Sequence, residues 1–232
     1  MSSPGLRLDL HNHTTFSHDA LLTPAALLQE GMARGIACLA VTDHNSVEGA
    51  LECVRLASLD PLLPRVIPGI ELATTAGEII GFYVTRDMPR GMSVAEAVGR
   101  IHAQGGIACL PHPYDLLRRG AIARRERESA AAAVDIVEVV NGRALAPAFN
   151  EKALALARRH GKPVAAGSDA HRAAEVARAF VIVDALPERG TLLELLAAGR
   201  VEHVLQPTQY ARNWWFQALS PVIRVCRGVS RH

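Results

Sequence analysis

Short apolar runs alternate along this chain with stretches whose apolar residues recur at helical spacing. Residues 6–11 read as a first strand. Thr23-Pro24 then supplies an N-cap and a proline in the first helical turn, and Gly35 a stop. Between them Leu27, Leu28 and Met32 form an apolar stripe. Residues 36–42 are a continuous apolar run suited to a buried parallel strand, ending in Asp43-His44. A helix capped by Asn45 or Ser46 follows, with Val47, Ala50, Leu51 and Val54 on one face. Residues 66–74 form a strand carrying Glu71, and the extended run 77–85 could pair with it as a hairpin. Ser93 and Glu96 make a capping box for a helix that Gly105-Gly106 ends. A buried strand at 107–110 runs into Pro111-His112-Pro113, and residues 114–133 read as irregular. Strands at 135–141, 163–167 and 179–184 and helices at 147–160 and 187–198 complete the pattern.

Repeated strand–helix units with apolar strands imply an α/β fold on a parallel sheet, open or closed as a barrel. The polar residues favour closure. His11/His13, His44, Glu71, His112, Asn141 and Asp169/His171 fall at or near the C-terminal ends of strands. A barrel gathers those ends into one mouth, whereas an open sheet spreads them too far apart to share a ligand.

The residue types at these ends suit a metal. His11 and His13 are two residues apart in an extended segment and project to one face. Neutral imidazole nitrogen is a ligand for zinc, iron, manganese or nickel. Asp169 and His171 repeat that spacing, and Asp19, Asp43-His44, Glu71, Glu78 and His112 add further donors. Singly, each has an ordinary structural reading. His112 between two prolines could be a turn residue, and Asp43 could accept backbone amides. Together, such readings do not explain why the polar residues collect at strand ends and leave the strand bodies apolar.

Composition narrows the picture. The chain has 232 residues, 49% of them hydrophobic and only 4% aromatic, so the core is expected to consist of Ala, Leu, Ile and Val. Its formal net charge of +2 argues against a surface built wholly for nucleic acid. The cysteines at 38, 53, 109 and 226 form no C-x-x-C pair, which points to reduced buried thiols. No signal peptide or bilayer-length apolar run is evident, so a cytoplasmic enzyme is the expectation. Residues 1–205 are expected to form one barrel domain and 206–232 an extension.

The ordered motifs D-L-H-N-H, S-H-D-A-L-L-T-P, A-V-T-D-H-N-S, G-I-E-L, P-H-P and G-S-D-A-H resemble the polymerase and histidinol phosphatase (PHP) family of metal-dependent phosphoesterases, over about residues 6–185. The resemblance implies a distorted seven-stranded (β/α)7 barrel with two or three divalent metals, Mn, Fe or Zn, at its C-terminal mouth. It implies one metal held by His11, His13, Glu71 and Asp169, a second sharing Glu71 and using His112, and a third on Asp19, His44 and His171. His18 is the alternative to Asp19, which aligns with the D-x-x-L-T-P phrase. Where family members usually carry a histidine, this chain has Glu78, a carboxylate that favours a harder metal such as manganese or iron. The phrase D-A-L-L-T-P also looks like a branch that includes phosphatases of nucleoside 3′,5′-bisphosphates, without that branch's inserted domain.

The implied reaction is hydrolysis of a small phosphate ester by a metal-bridging hydroxide, with Glu71, Asp169 and His171 as the catalytic residues. Asn141, Arg143 and Arg118 are the expected substrate contacts, Arg118 and its neighbour Arg119 being weaker candidates than Arg143. Arg124, Arg125 and Arg127 alternate with Glu126 and Glu128 and read as a solvated helix face. No stable nucleic acid complex is expected, because the chain lacks a broad basic stripe. The competing readings are a hydrolase of a non-phosphate bond and a metal-binding module without catalysis. Residues 206–232 carry a charge of +4 against −2 for the preceding 205, and include Trp214, Trp215, Phe216, Leu219, Val222 and Ile223. Packing on the barrel or on a second subunit is the expectation for this segment, and a membrane surface the alternative. Co-sedimentation with anionic liposomes, with and without residues 208–232, separates the two. Packing predicts that both forms stay in the supernatant, and segment-dependent pelleting would contradict it.

Overall fold

A computed structural model describes residues 5–115 and 120–204. The chain runs β1 (Leu6–Asp9), α1 (Pro24–Ala33), β2 (Ile36–Val41), α2 (Glu48–Ala57), β3 (Arg65–Ala73), β4 (Glu78–Phe82), α3 (Val94–Ala103) and β5 (Ile107–Leu110). It continues with α4 (Arg127–Ala133), β6 (Ile136–Asn141), α5 (Pro147–Arg159), β7 (Val164–Gly167), β8 (Ala179–Val183), α6 (Leu192–Ala198) and β9 (Arg200–His203). The sheet order is β7-β6-β5-β4-β3-β2-β1-β8-β9.

The sheet is nearly closed into a barrel. The first half of β1 pairs antiparallel with β8, Leu6 opposite Val183 and Leu8 opposite Val181. Beyond β1 the chain turns to β7 instead. The Leu10 N–H donates to the Ala166 carbonyl at 3.1 Å, Asp169 N–H to His11 at 2.7 Å, and His13 N–H to Ala170 at 3.0 Å. Strands β1 to β7 thus form a ring, and β8 and β9 lie outside the seam.

The hairpin expected from the extended run at 77–85 is present. β4 is antiparallel to both β3 and β5, because residues 65–82 form a hairpin. That reversal puts the start of β4, opposite Ala73, at the same end of the barrel as the C-termini of its parallel neighbours.

Local chemistry sets the helix starts. Thr23 accepts from the Ala26 N–H at 3.2 Å, with Pro24 in the first turn. Ser93 and Glu96 form the expected capping box. α2 differs: Val47 is its N-cap, and the Val47 N–H donates to Asp87 at 2.8 Å. Asn45 instead adopts a left-handed conformation, and its side-chain oxygen accepts from Ala73 N–H at 2.9 Å, tying the loop after β2 to β3. Residues 114–133 are not wholly irregular, since they contain a 3-10 turn at Arg124–Glu126 and then α4. Nor is Arg127 solvated: it is buried, donates to the Pro113 carbonyl at 2.6 Å and covers the Tyr114 ring at 4.1 Å. The last helix begins at Leu192 rather than Pro187, and β9 follows it.

The core is aliphatic, with Phe82 the largest fully buried side chain. Cys38, Cys53 and Cys109 are buried and unpaired by disulfides, while Cys226 lies outside the described residues. Among the described residues no helix is long and apolar enough to cross a membrane.

Beneath the seam Asp9 is fully buried and accepts from the Ser168 N–H at 2.8 Å, the Ser168 hydroxyl and the Ala177 N–H at 3.1 Å. Burial lifts its carboxyl to about 6 against the lowering effect of these bonds. The seam also needs glycine at 167, where a Cβ would stand 2.2 Å from the His11 Cβ and 2.7 Å from its backbone nitrogen. Gly167→Ala is therefore expected to lose about 1–3 kcal/mol of stability, the usual cost of overpacking. Urea unfolding checks this, and an unchanged midpoint would contradict it.

Candidate metal centre

The segments at the ends of β1, β2, β5 and β7, the loop before α1, and strands β3 and β4 each bring a donor to the mouth. His11 and His13 extend from β1, and Asp19 comes from the loop before α1. His44 follows β2, Glu71 lies in β3, Glu78 starts β4, His112 follows β5, and Asp169 and His171 follow β7.

The closest gathering is around His11 and His13. Their Nε2 atoms are 3.1 Å apart. Each is 3.4 Å from a different oxygen of Glu71, and they lie 3.7 and 3.4 Å from Asp169 Oδ1. On one side, His112 Nε2 is 3.0 Å from Glu71 Oε1 and 3.7 Å from Glu78 Oε2. On the other, Asp19 Oδ1 is 3.6 Å from His44 Nε2 and 3.4 Å from His171 Nε2. His18 stands ring to ring with His44 at 5.4 Å. All three donor groups expected from the sequence are thus brought together, and Glu78 joins them. Imidazole and carboxylate atoms cluster within 4.8 Å in the sets His11/His13/Asp169, His11/Glu71/His112, His13/His44/His171 and His44/Glu71/Glu78.

An outer layer aims these donors. The His11 Nδ1–H has Glu138 Oε1 as its acceptor at 3.0 Å, which leaves the Nε2 lone pair facing the mouth. His13 Nδ1 meets the Ser17 hydroxyl at 3.1 Å, and Ser17 in turn donates to Asp43 at 2.6 Å. Asp43 also accepts from the Thr14 N–H at 2.7 Å and the Thr14 hydroxyl at 2.6 Å. It is therefore an organiser of the loop rather than a donor to the mouth. His171 Nδ1 faces the Asp169 carbonyl at 2.9 Å.

Glu138 has the broadest reach. Its second oxygen accepts from the His112 N–H at 2.8 Å and from Asn141 Nδ2 at 3.0 Å. The sequence reading did not single it out. The available signal was one acid inside the apolar run Ile136-Val137-Glu138-Val139-Val140, which the structure buries completely as β6.

One expected substrate contact changes meaning. Asn141 is buried, and its carboxamide donates to Glu138 and, at 3.1 Å, to Asp169 Oδ2. It positions the donors instead of opening toward a substrate. Arg118, with Arg119, lies outside the described residues. Arg143 does stand at the mouth, its Nη1 2.8 Å from His171 Nδ1 and 3.7 Å from Asp169 Oδ1.

Two of the donors sit on strained backbone. His112 and Asp169 have φ of 29° and 52°, in the region that L residues seldom adopt. Such conformations persist where surrounding structure over-determines them. Here Glu138 holds the His112 N–H, and the His11 carbonyl holds the Asp169 N–H.

The mouth has a strong demand for positive charge. Burial works against the Glu71 carboxylate, but His11 and His44 outweigh it and hold the acid well below its usual range. Asp19 is also lowered: burial opposes this, but His171 and His44 prevail. Burial equally opposes protonation of His44, yet Glu71, Asp19 and Glu78 raise it to about 9. His11 is raised well above its ordinary value by Asp169, Glu138 and Glu71 despite burial. His13, surrounded by His171 and His44 as well as buried, falls to about 4. Burial and the Arg143 guanidinium lower His171. A divalent cation would supply the positive charge these carboxylates attract without crowding more protons onto adjacent imidazoles.

Comparison with known proteins bears on the family and the fold. The PHP-domain family model matches residues 9–131, and the PHP-associated model PHP_C matches residues 147–201. The Methanocaldococcus jannaschii protein MJ0417 is 36% identical over 180 residues, which is 76% of this chain and 70% of that protein. The 5'-3' exoribonuclease Rnm of Escherichia coli is 38% identical over 66 residues, 28% of this chain and 22% of its own length. Among solved structures, a Bacteroides vulgatus two-domain protein containing a predicted PHP-like metal-dependent phosphoesterase superposes with a TM-score of 0.68 at 18% identity, over 90% of this chain and 69% of that one.

The outer layer generates a prediction. Glu138→Gln keeps the shape but removes the charge behind His11, and should weaken divalent-metal affinity about 10–100-fold, as loss of such partners does. Equilibrium dialysis with metal analysis measures this, and wild-type affinity in the variant would contradict the role given to Glu138.

Proposed function

The chain belongs to the PHP-domain family, and from that premise we propose that it is a metal-dependent phosphoesterase hydrolysing a small phosphate ester, with nucleotides and nucleoside bisphosphates as the substrate class. The observation that carries this reading is the convergence of imidazole and carboxylate donors on one barrel mouth. The His11 and His13 Nε2 atoms face each other at 3.1 Å between the Glu71 and Asp169 carboxylates. Hydrogen bonds at their Nδ1 atoms turn both lone pairs inward, an arrangement that fits a divalent cation.

His11, His13, Glu71 and Asp169 would hold one cation. Glu71, His112 and Glu78 would hold a second, and Asp19, His44 and His171 a third. When bound, Mn, Fe or Zn ions supply an acidified water as nucleophile and positive charge against the phosphoryl oxygens. The chain's own residues do the rest. Glu138 and Asn141 fix the orientations of His11 and Asp169. Arg143, beside His171 and Asp169, is placed to grip a phosphoryl oxygen with its guanidinium. Burial of the mouth's floor keeps bulk water from screening these charges. The partial match to an exoribonuclease supports a phosphate ester of a nucleotide as the substrate, over the small share of both chains it covers. A cytoplasmic location belongs to the same reading.

Release of phosphate from phosphomonoesters, nucleoside bisphosphates and short oligonucleotides with added Mn²⁺ tests the proposal. His11→Ala, Glu71→Ala and Asp169→Ala should each lose about a hundredfold or more in kcat, in line with loss of electrostatic stabilisation in the transition state. Wild-type turnover in any of the three would sink the assignment. Arg143→Ala should leave metal content unchanged and lose roughly ten- to hundredfold in kcat/KM, the value of a charge-assisted hydrogen bond. An unchanged kcat/KM would remove Arg143 from the substrate site.

A further inference from the structure

The turn that carries His112 has few backbone means of holding itself. Prolines flank His112 on both sides and lack an N–H, so residues 111–113 offer one backbone donor, the His112 N–H. Glu138 takes that donor at 2.8 Å. The Asp115 N–H then donates to the His112 carbonyl at 3.1 Å. His112 itself sits at φ 29°, a conformation that its surroundings must impose. Pro113 is buried as well, and a buried carbonyl needs a partner. Arg127 is that partner. It opens α4 and reaches back 14 residues, its Nε–H donating to the Pro113 carbonyl at 2.6 Å. Its guanidinium carbon lies 4.1 Å from the centre of the Tyr114 ring. One side chain thus grips both residues that follow His112.

We propose that Arg127 is a positioning residue for the metal centre: by clamping Pro113 and Tyr114 it fixes the strained turn that aims His112 Nε2 at Glu71. This rests on the metal-centre reading and goes beyond it, since that reading gives only Glu138 a hold on His112.

Three observations support the clamp. First, Arg127 is a costly choice for stability alone. It is 7% exposed, and its Nη2 is buried with no hydrogen-bond partner among the described residues. A buried guanidinium with an unpaired N–H destabilises the fold, whereas an apolar residue of similar size would pack there without that cost. Second, the clamp stands on a firm base. Glu128, the next residue, accepts from Arg159 Nη2 at 2.6 Å and meets His160 Nε2 at 2.7 Å, both at the end of α5. Ala130 and Ala131 of the same helix belong to the core. Third, the turn is held from two sides. Glu138 grips the His112 N–H from β6, and Arg127 grips the Pro113 carbonyl from α4. Held so, His112 Nε2 lies 3.0 Å from Glu71 Oε1. The role suits arginine: a planar guanidinium can lie over a ring while its Nε–H donates to one side, and a lysine ammonium cannot reproduce both contacts in that geometry.

The test reads metal affinity, with activity set aside. Binding of Mn²⁺ to the full chain is measured by equilibrium dialysis with elemental analysis, for the wild type, Arg127→Met, Arg127→Lys, His112→Ala and the two double variants. Arg127→Met keeps the bulk of the stem and removes the hydrogen bond. It should lose about tenfold in Mn²⁺ affinity at the position that His112→Ala also weakens, as loss of an orienting partner does. Arg127→Lys should lose about threefold or more there, which keeps the test open if the methionine variant does not fold. In the His112→Ala background neither substitution should cost further affinity, a coupling that a purely structural role would not produce. Wild-type affinity in the folded Arg127 variants would overturn the clamp alone. So would an equal loss with and without His112. Wild-type affinity in His112→Ala, or a wild-type chain that binds no Mn²⁺, would overturn the metal-centre reading at His112 and the clamp with it. Circular dichroism of each variant confirms that the comparison is between folded proteins.

Discussion

The seam between β1 and β7 is the constraint on which the mouth depends. Three backbone hydrogen bonds, from Leu10 to Ala166, from Asp169 to His11 and from His13 to Ala170, carry the chain across it. They set His11 and His13 against Asp169 and His171, although more than 150 residues separate these segments. A sheet left open at this point would still contain every strand but would hold these donors on opposite edges. Closure needs Gly167, which gives His11 room, and the buried Asp9, which accepts the Ser168 and Ala177 amides beneath the joint.

The hairpin of β3 and β4 is the second geometric device. A strictly parallel ring would bring position 78 to the opposite end of the barrel. Because β4 runs backwards, Glu71 and Glu78 meet at the mouth from neighbouring strands. Around this frame an outer layer of Glu138, Ser17 and Asp43 fixes which nitrogen of His11 and of His13 faces inward, and Asn141 holds the Asp169 carboxylate. That layer is buried with the donors, so its hydrogen bonds are little screened by water. The strained backbone at His112 and Asp169 lies where this layer grips hardest.

Much of this was legible in the sequence, for a physical reason. Polar residues at the ends of apolar runs stand out, so His11, His13, His44, Glu71, His112, Asp169 and His171 could be read as one set. Strand bodies were equally clear, and 107–110 matches β5 residue for residue. Residues whose role depends on direction or depth were harder. Glu138 looks like an ordinary polar position of a strand until the barrel closes over it. Asn141, at a strand end, has the same sequence signature as a substrate contact, but it is turned inward to Glu138 and Asp169. Arg127 sits among alternating charges, a pattern that suggests water, yet it packs on Tyr114 and caps the Pro113 carbonyl. Short β9, with its alternating Arg200-Val201-Glu202-His203, carries too little apolar signal to distinguish it from a tail.

The central claim is that divalent cations occupy the place where the imidazoles and carboxylates converge. Anomalous X-ray diffraction from crystals of the full chain grown with Mn²⁺ tests it most directly. The account predicts an anomalous peak enclosed by His11, His13, Glu71 and Asp169, with further density toward His112 and Glu78 or toward Asp19, His44 and His171. Well-ordered side chains at the mouth with no anomalous density among them would contradict it.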